Sequence, residues 1–277
     1  RAQQVEILDL KVHQQEVFQR SAYGLGSLLV VILALLGVGW WFARRANRRL
    51  NLQNRQIQAQ NKEIEAERSK SDQLLLNILP EEIAQELKTK GYAKPRLYES
   101  ATVLFTDFVD FTRLSATLLP EALIDELNEC FLAFDLICDK FGLEKIKTIG
   151  DAFMCVGGLP VPNTTHPQDA VRAALKMNDW IQDRNRNNAK AIFQEMRIGI
   201  HTGPVVAGVI GKNKFAFDIW GDAVNLAARL EELGEPGKVN ISSATAAAIG
   251  DEFMLTFRGE KEVHNKGLVA MYFVQEN

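Results

Sequence analysis

The sequence predicts an α+β fold: a ferredoxin-like β-α-β-β-α-β core, preceded by one transmembrane helix and a coiled-coil helical linker. Three observations carry this. Residues 21–43, SAYGLGSLLVVILALLGVGWWFA, hold no charge. Residues 47–78 are polar, Gln-rich and free of Gly and Pro, with apolar residues at seven-residue steps. After Lys94, strand and helix signals alternate. With 277 residues, 47% hydrophobic and 24% charged, the chain can bury one sizeable domain beside extra segments. A net charge of −3 gives no sign of nucleic-acid binding. Cys130, Cys138 and Cys155 form an odd set without paired metal spacing, which argues against a disulfide framework or a zinc site. They read as small core residues of a reducing compartment.

As a helix, 21–43 would extend about 34 Å against a hydrocarbon core of about 30 Å, long enough to span. Trp40 and Trp41 fall where interfacial aromatics belong, and Arg44, Arg45, Arg48 and Arg49 follow at once. The preceding residues mix Lys11 and Arg20 with Glu6, Asp9 and Glu16, so the positive-inside rule puts everything after Arg44 in the cytoplasm, with the protein held at the cell membrane. A signal peptide is disfavoured by the long, acid-containing lead, and a buried core helix by the missing polar face. Residues 1–20 read as the extracytoplasmic end of a longer region, because the chain begins at Arg1 without methionine. The linker, 44–94, places Leu50, Ile57, Ile64 and Ile78 at d, with Ser71 in the gap, and Asn47, Asn54 and Asn61 at a, followed by Arg68 and Leu75. Asparagine at a favours a parallel two-stranded coil in fixed register. A solvated single helix is the alternative. Pro80 breaks the pattern and a short amphipathic helix follows.

The remaining stretch, 95–277, is one domain. TVLFTD reads as a strand, 120–141 as a helix, and LEKIKTIGDAFMCVGG as two strands turning at Gly150 and Asp151. A second helix covers about 167–184. MRIGIHTGPVVAGVIG and FAFDIW are further strands, GDAVNLAARLEEL is an amphipathic helix, and VNIS with LVAMYFV completes the set. The predicted arrangement is an antiparallel sheet with helices on one face. In that topology Asp107, at the end of the first strand, and Asp151, at the hairpin turn, converge. Hard carboxylate oxygens suit Mg²⁺ or Mn²⁺, and the DFVDFT turn, Phe108 to Thr112, offers backbone N–H groups to phosphate. The alternatives are a helix cap for Asp107 and an ordinary turn residue for Asp151, and Asp110 makes a better cap than a ligand.

VLFTDFVDFT, EKIKTIGDAFMCVGGLP and FDIWGDAVNLAARLE together resemble the class III nucleotide cyclases, the adenylyl and guanylyl cyclase family. The likeness covers about 97–274, and NILPEEIAQEL resembles the transducing segment that often precedes such domains. The resemblance implies a homodimer with head-to-tail active sites. In each, Asp107 and Asp151 of one chain hold two Mg²⁺ or Mn²⁺ ions, and the partner supplies base recognition and transition-state contacts. It further implies that Lys147 and Asp218 read the purine edge, while Asn225 and Arg229 position the ribose and stabilise the transition state. A carboxylate that accepts and an ammonium that donates fit adenine's amino group and N1, so this pair points to ATP, whereas the family's guanylyl cyclases typically carry Glu at the lysine position. Lys266 and Lys238 fall near family positions for triphosphate contacts. Without the motifs, Asn225 with Arg229 and Lys147 with Asp218 would read as ordinary surface pairs, and both other lysines as surface lysines.

Overall fold

The computed structural model describes residues 2–188, 191–211, 214–263 and 266–277. The chain divides into two units, 1–72 and 73–277. The described residues of the first unit lie within one long helix, α1 (Ala2–Leu76). Among the described residues, its Gln15–Leu76 part holds the one window apolar and long enough to cross a membrane, with mean hydropathy 2.3. Arg44 lies over the Trp40 ring and Arg45 over Trp41, at 4.7 and 5.3 Å, so the aromatic edge of that window is continuous with its basic flank. Leu50, Ile57 and Ile64 are all exposed along this helix.

The second unit contains α2 (Glu81–Lys90), β1 (Arg96–Phe108), α3 (Phe111–Ser115), α4 (Pro120–Phe141), β2 (Glu144–Ile149), β3 (Ala152–Gly157), α5 (His166–Asn187), β4 (Met196–Ile210), β5 (Ala216–Trp220), α6 (Asp222–Glu232), β6 (Val239–Ser242), α7 (Ser243–Ile249), β7 (Met254–Val263) and β8 (Gly267–Gln275). The strands form one sheet in the order β2-β3-β1-β4-β6-β8-β7, with β5 paired to β4. β1 lies antiparallel between β3 and β4 in the interior of the sheet. Helix α4 starts at Pro120, whose fixed φ suits a first turn, and stops at Gly142 with φ 65°, a left-handed cap that residues with a Cβ adopt at a cost.

Both faces of this sheet are covered, which corrects the expectation of helices on one face. Leu104, Phe108, Phe153 and Ile198 point to the side of α4 and α5, where they meet Phe134, Ala170 and Met177. Val103, Phe105, Met154 and Val205 point to the other side, where Ile83 and Ala84 of α2 and Ala223 and Ala227 of α6 close over them. The cause is the two-residue period of a strand: a central strand covered on both sides reads as an unbroken apolar run and does not say what covers each face. β7 was not expected either. Half of its sequence, MLTFRGEKEV, is charged or polar, and it pairs with β8 at the sheet's edge, where such residues stay solvated.

Candidate active site

Asp107 sits one residue from the end of β1, directly across from Arg197 of β4. Arg197 donates from Nη2 to Asp107 Oδ2 at 2.7 Å and from Nε to Glu231 Oε1 of α6 at 2.9 Å. Asp151 occupies the two-residue turn between β2 and β3, where Ile149 pairs with Ala152 and Gly150 takes φ 65°. Because β3 lies beside β1, the turn brings Asp151 against Asp107. Burial, then the adjoining Asp107 carboxylate, pushes Asp151 up to about 7, although the backbone N–H groups of Asp151 and Phe108 favour its charged form. Burial, then Asp107, likewise pushes Glu231 up to about 7, against the pull of Arg197.

Two half-buried carboxylates facing each other carry a repulsion that a divalent cation would relieve. Among the described residues no group of three or more His, Cys, Asp or Glu converges, so the protein offers two carboxylates and leaves the remaining positions open. That donor set fits Mg²⁺ or Mn²⁺, which are commonly held by one or two carboxylates together with substrate phosphates.

The pKa directions fix a sign. Asp151 and Glu231 are raised from 3.8 and 4.5, so the folded chain holds protons that the unfolded chain has released, and stability falls as pH climbs toward and through about 7. His201, lowered by burial and then by Lys266 from 6.5 to about 4, acts oppositely, but only between those two values. Between pH 6.5 and 8 the carboxylates therefore dominate. With chelator present, the melting temperature of the second unit is expected to fall across that interval. Mn²⁺ should flatten the dependence, and Asp151→Asn should remove about half of it, leaving the share of Glu231. A flat profile in chelator would contradict the carboxylate pairing.

Lys147 and Asp218 are brought into contact, Nζ to Oδ2 at 2.6 Å, and Asp218 Oδ1 also accepts from the Ile219 N–H. A β-bulge makes this possible. Lys145 stands opposite Cys155 and Lys147 opposite Met154, two residues against one, so the extra residue at Ile146 turns Lys147 onto the other face of the sheet. Lys145 stays on the α4 side, bound to Asp135 at 2.8 Å. Lys147 reaches β5.

Asn225, Arg229 and Lys266 line one cavity of about 460 Å³ together with Asp222 and Glu232. Asn225 and Arg229 are one turn apart on the exposed face of α6, while Lys266, at the start of β8's approach, pairs with Asp222, and Arg229 pairs with Glu232. Lys238 is not part of this group. It is bound to Glu235 and stacked 4.6 Å over Phe273, beside a different cavity of about 270 Å³.

The phenylalanines around Asp107 divide between faces. Phe108 is 2% exposed and stacks on Phe193 at 4.4 Å, with Phe111 alongside, whereas Phe105 belongs to the opposite face. The Phe108 side chain therefore has no access to a ligand. Its truncation to alanine would cost about 3–5 kcal/mol of stability and report on folding. Its backbone N–H is directed at Asp151, and that of Val109 donates to the Glu195 carbonyl at 3.0 Å. Thr112, exposed in the first turn of α3, has an N–H without an intrahelical acceptor. Asp110 stands at the cap position with φ 62°, but its carboxylate binds Arg113 at 2.9 Å and makes no capping bond. Arg197 and Glu231 have no counterpart in the sequence reading.

These features have a family. The adenylate and guanylate cyclase catalytic domain family matches residues 93–276, and the chain belongs to the class III nucleotide cyclases. It is 36% identical over 209 residues to an adenylate cyclase of Mycobacterium tuberculosis, covering 75% of this chain and 47% of that protein. To the guanylate cyclase soluble subunit beta-2 of Rattus norvegicus it is 37% identical over 219 residues, covering 76% and 31%. The chain thus spans about half or less of the length of these relatives. Among solved structures, the catalytic core of a rhodopsin-guanylyl cyclase with converted specificity, in complex with ATPαS, superposes with a TM-score of 0.63 at 34% identity, covering 66% of this chain and 99% of that one.

Proposed function

We propose that the chain is a membrane-anchored, homodimeric adenylyl cyclase that converts ATP to 3′,5′-cyclic AMP and pyrophosphate on the cytoplasmic side. Overall likeness does not choose the base, since the relatives include adenylate and guanylate cyclases at 36% and 37% identity. The observation that carries the reading is the Lys147–Asp218 contact at 2.6 Å, a donor beside an acceptor. In this reading Asp218 accepts from the adenine amino group and Lys147 donates to N1, a pattern that guanine's O6 and N1–H reverse. Asn225 orients the ribose so that the 3′-hydroxyl lies in line with the α-phosphorus, and Arg229 offsets the charge gathering on the phosphoryl oxygens. Lys266 and the N–H at Thr112 hold the triphosphate. Asp107 and Asp151 would hold Mg²⁺ or Mn²⁺, two ions per site, which when bound supply Lewis-acid stabilisation and a more acidic 3′-hydroxyl.

The element order β1-α4-β2-β3-α5-β4, with β2-β3-β1-β4 side by side and α4 and α5 on one face, supports a ferredoxin-like core. Exposed Leu50, Ile57 and Ile64 support pairing of the linker with a second copy. The test is direct. The purified full chain in detergent is incubated with ATP or GTP and Mg²⁺ or Mn²⁺, and the product is identified by mass spectrometry. Cyclic AMP, with ATP preferred roughly tenfold or more, is the expected result. Cyclic GMP as the main product would overturn the base assignment, and no cyclic product from either nucleotide would overturn the enzymatic reading.

A further inference from the structure

Glu231 is a buried carboxylate with no role in the chemistry above, yet its position is tightly specified. It lies in the last turn of α6, 7% exposed, with its backbone pressed against β4 at Gly199. A Cβ at Gly199 would fall 2.1 Å from the Glu231 nitrogen and 2.7 Å from its Cα, so only glycine permits this approach. Gly199 and Arg197 are two apart on one strand and share a face. The close contact therefore sets the Glu231 carboxylate beside the Arg197 guanidinium. Arg197 consequently gives Nε to Glu231 and only Nη2 to Asp107, touching one of the two Asp107 oxygens.

We infer that Glu231 is a positioning residue for the metal site, restraining Arg197 so that Asp107 keeps an oxygen free for a divalent cation. The inference rests on the reading of Asp107 as a metal ligand. An arginine facing a single carboxylate tends toward a two-pronged fork that occupies both oxygens. Without the pull of Glu231, Arg197 is free to close on Asp107 in that way and to compete with the cation. The same helix carries Asn225 and Arg229, so in the shared-site dimer α6 serves one active site with those two residues and steers the metal carboxylate of the other through Glu231.

The experiment measures Mn²⁺ binding to the full chain, without nucleotide, from the free-ion electron paramagnetic resonance signal. Glu231→Gln, which keeps shape and removes charge, is expected to raise the Mn²⁺ Kd roughly tenfold, the usual scale for a residue supporting a metal ligand. Glu231→Asp should recover part of that loss. In the double variant Glu231→Gln/Arg197→Met the competing guanidinium is gone, and affinity should return to within about threefold of wild type, a coupling that a merely structural role for Glu231 would not produce. An unchanged Kd in Glu231→Gln, or a double variant no better than Glu231→Gln while its melting temperature matches, overturns the inference. Asp107→Ala separates the two levels. If it weakens Mn²⁺ binding while Glu231→Gln does not, only the positioning role falls; if it leaves binding unchanged, the metal reading and this inference fall together.

Discussion

Alanine at Asp107 or Asp151 is expected to lower cyclic nucleotide formation by about 10³-fold or more, because each removes a carboxylate oxygen from a site asked to supply several kcal/mol of transition-state stabilisation. Stability should survive. Both side chains lie at strand and turn ends, and removing either one relieves the like-charge contact that raises Asp151. Circular dichroism and the chelator-treated melting curve check that half of the expectation. The other half uses the dimer. If Asp107 and Asp151 come from one chain and Asn225 and Arg229 from its partner, then Asp107→Ala and Arg229→Ala homodimers are each nearly inactive. In a mixed dimer, one site collects both defects and the other receives intact residues from each chain. Random mixing makes about half the dimers mixed, each with one good site of two, so an equimolar mixture should recover roughly a quarter of wild-type activity by symmetry. A mixture that stays inactive, although native mass spectrometry shows exchanged subunits, would refute a site built across two chains.

Much of the fold could be read from the sequence because its signals are local. The helix at 120–141 has amphipathic spacing between a Pro start and a Gly stop, and the β2–β3 hairpin has a two-residue Gly-Asp turn between an alternating strand and an apolar one. The nearness of the two acids is equally legible, since Asp107 ends the apolar run of β1 and Asp151 precedes that of β3. What could not be read depends on contacts distant in sequence. Arg197 and Glu231 are 34 residues apart and meet because Gly199 admits the backbone of α6; neither residue carries a signature of that meeting. The facing of Lys147 depends on one extra residue in a bulge, and alternation alone would have put it beside Lys145. For Lys238 the sequence leaves both a triphosphate contact and an ordinary surface lysine open, for a simpler reason. A lysine before a strand can reach either a cleft or its own neighbours, and here Glu235 and Phe273 hold it. Phe105 and Phe108 are close in sequence, but three residues along a strand put them on opposite sides.

Exchanging the proposed base-reading pair carries the second large effect. Lys147→Glu with Asp218→Cys replaces the donor by an acceptor and removes the acceptor, so adenine would meet a carboxylate at its N1 lone pair, while guanine would present N1–H to that same carboxylate. The wild-type contact at 2.6 Å shows that the two side chains reach one point from β2 and β5, so the change acts at a single place and not at two distant ones. Both side chains leave the apolar core: Lys147 is 41% exposed and Asp218 14%, and the bulge at Ile146 that orients the first is untouched by substitution. Folding should therefore survive. Each mismatched buried polar contact is worth about 1–3 kcal/mol, so losing two for ATP and gaining one or two for GTP should move the ATP/GTP ratio of kcat/KM by roughly 10³-fold or more toward GTP. The effect should appear in that ratio and leave the Mn²⁺ Kd unchanged, since Asp107 and Asp151 are not altered. Steady-state kinetics with both nucleotides measures the ratio. If the double variant loses all activity while still folded, Lys147 or Asp218 does more than read the base. If it keeps the wild-type ATP/GTP ratio, base selection lies elsewhere in the chain, and the assignment of this protein to ATP loses its main support.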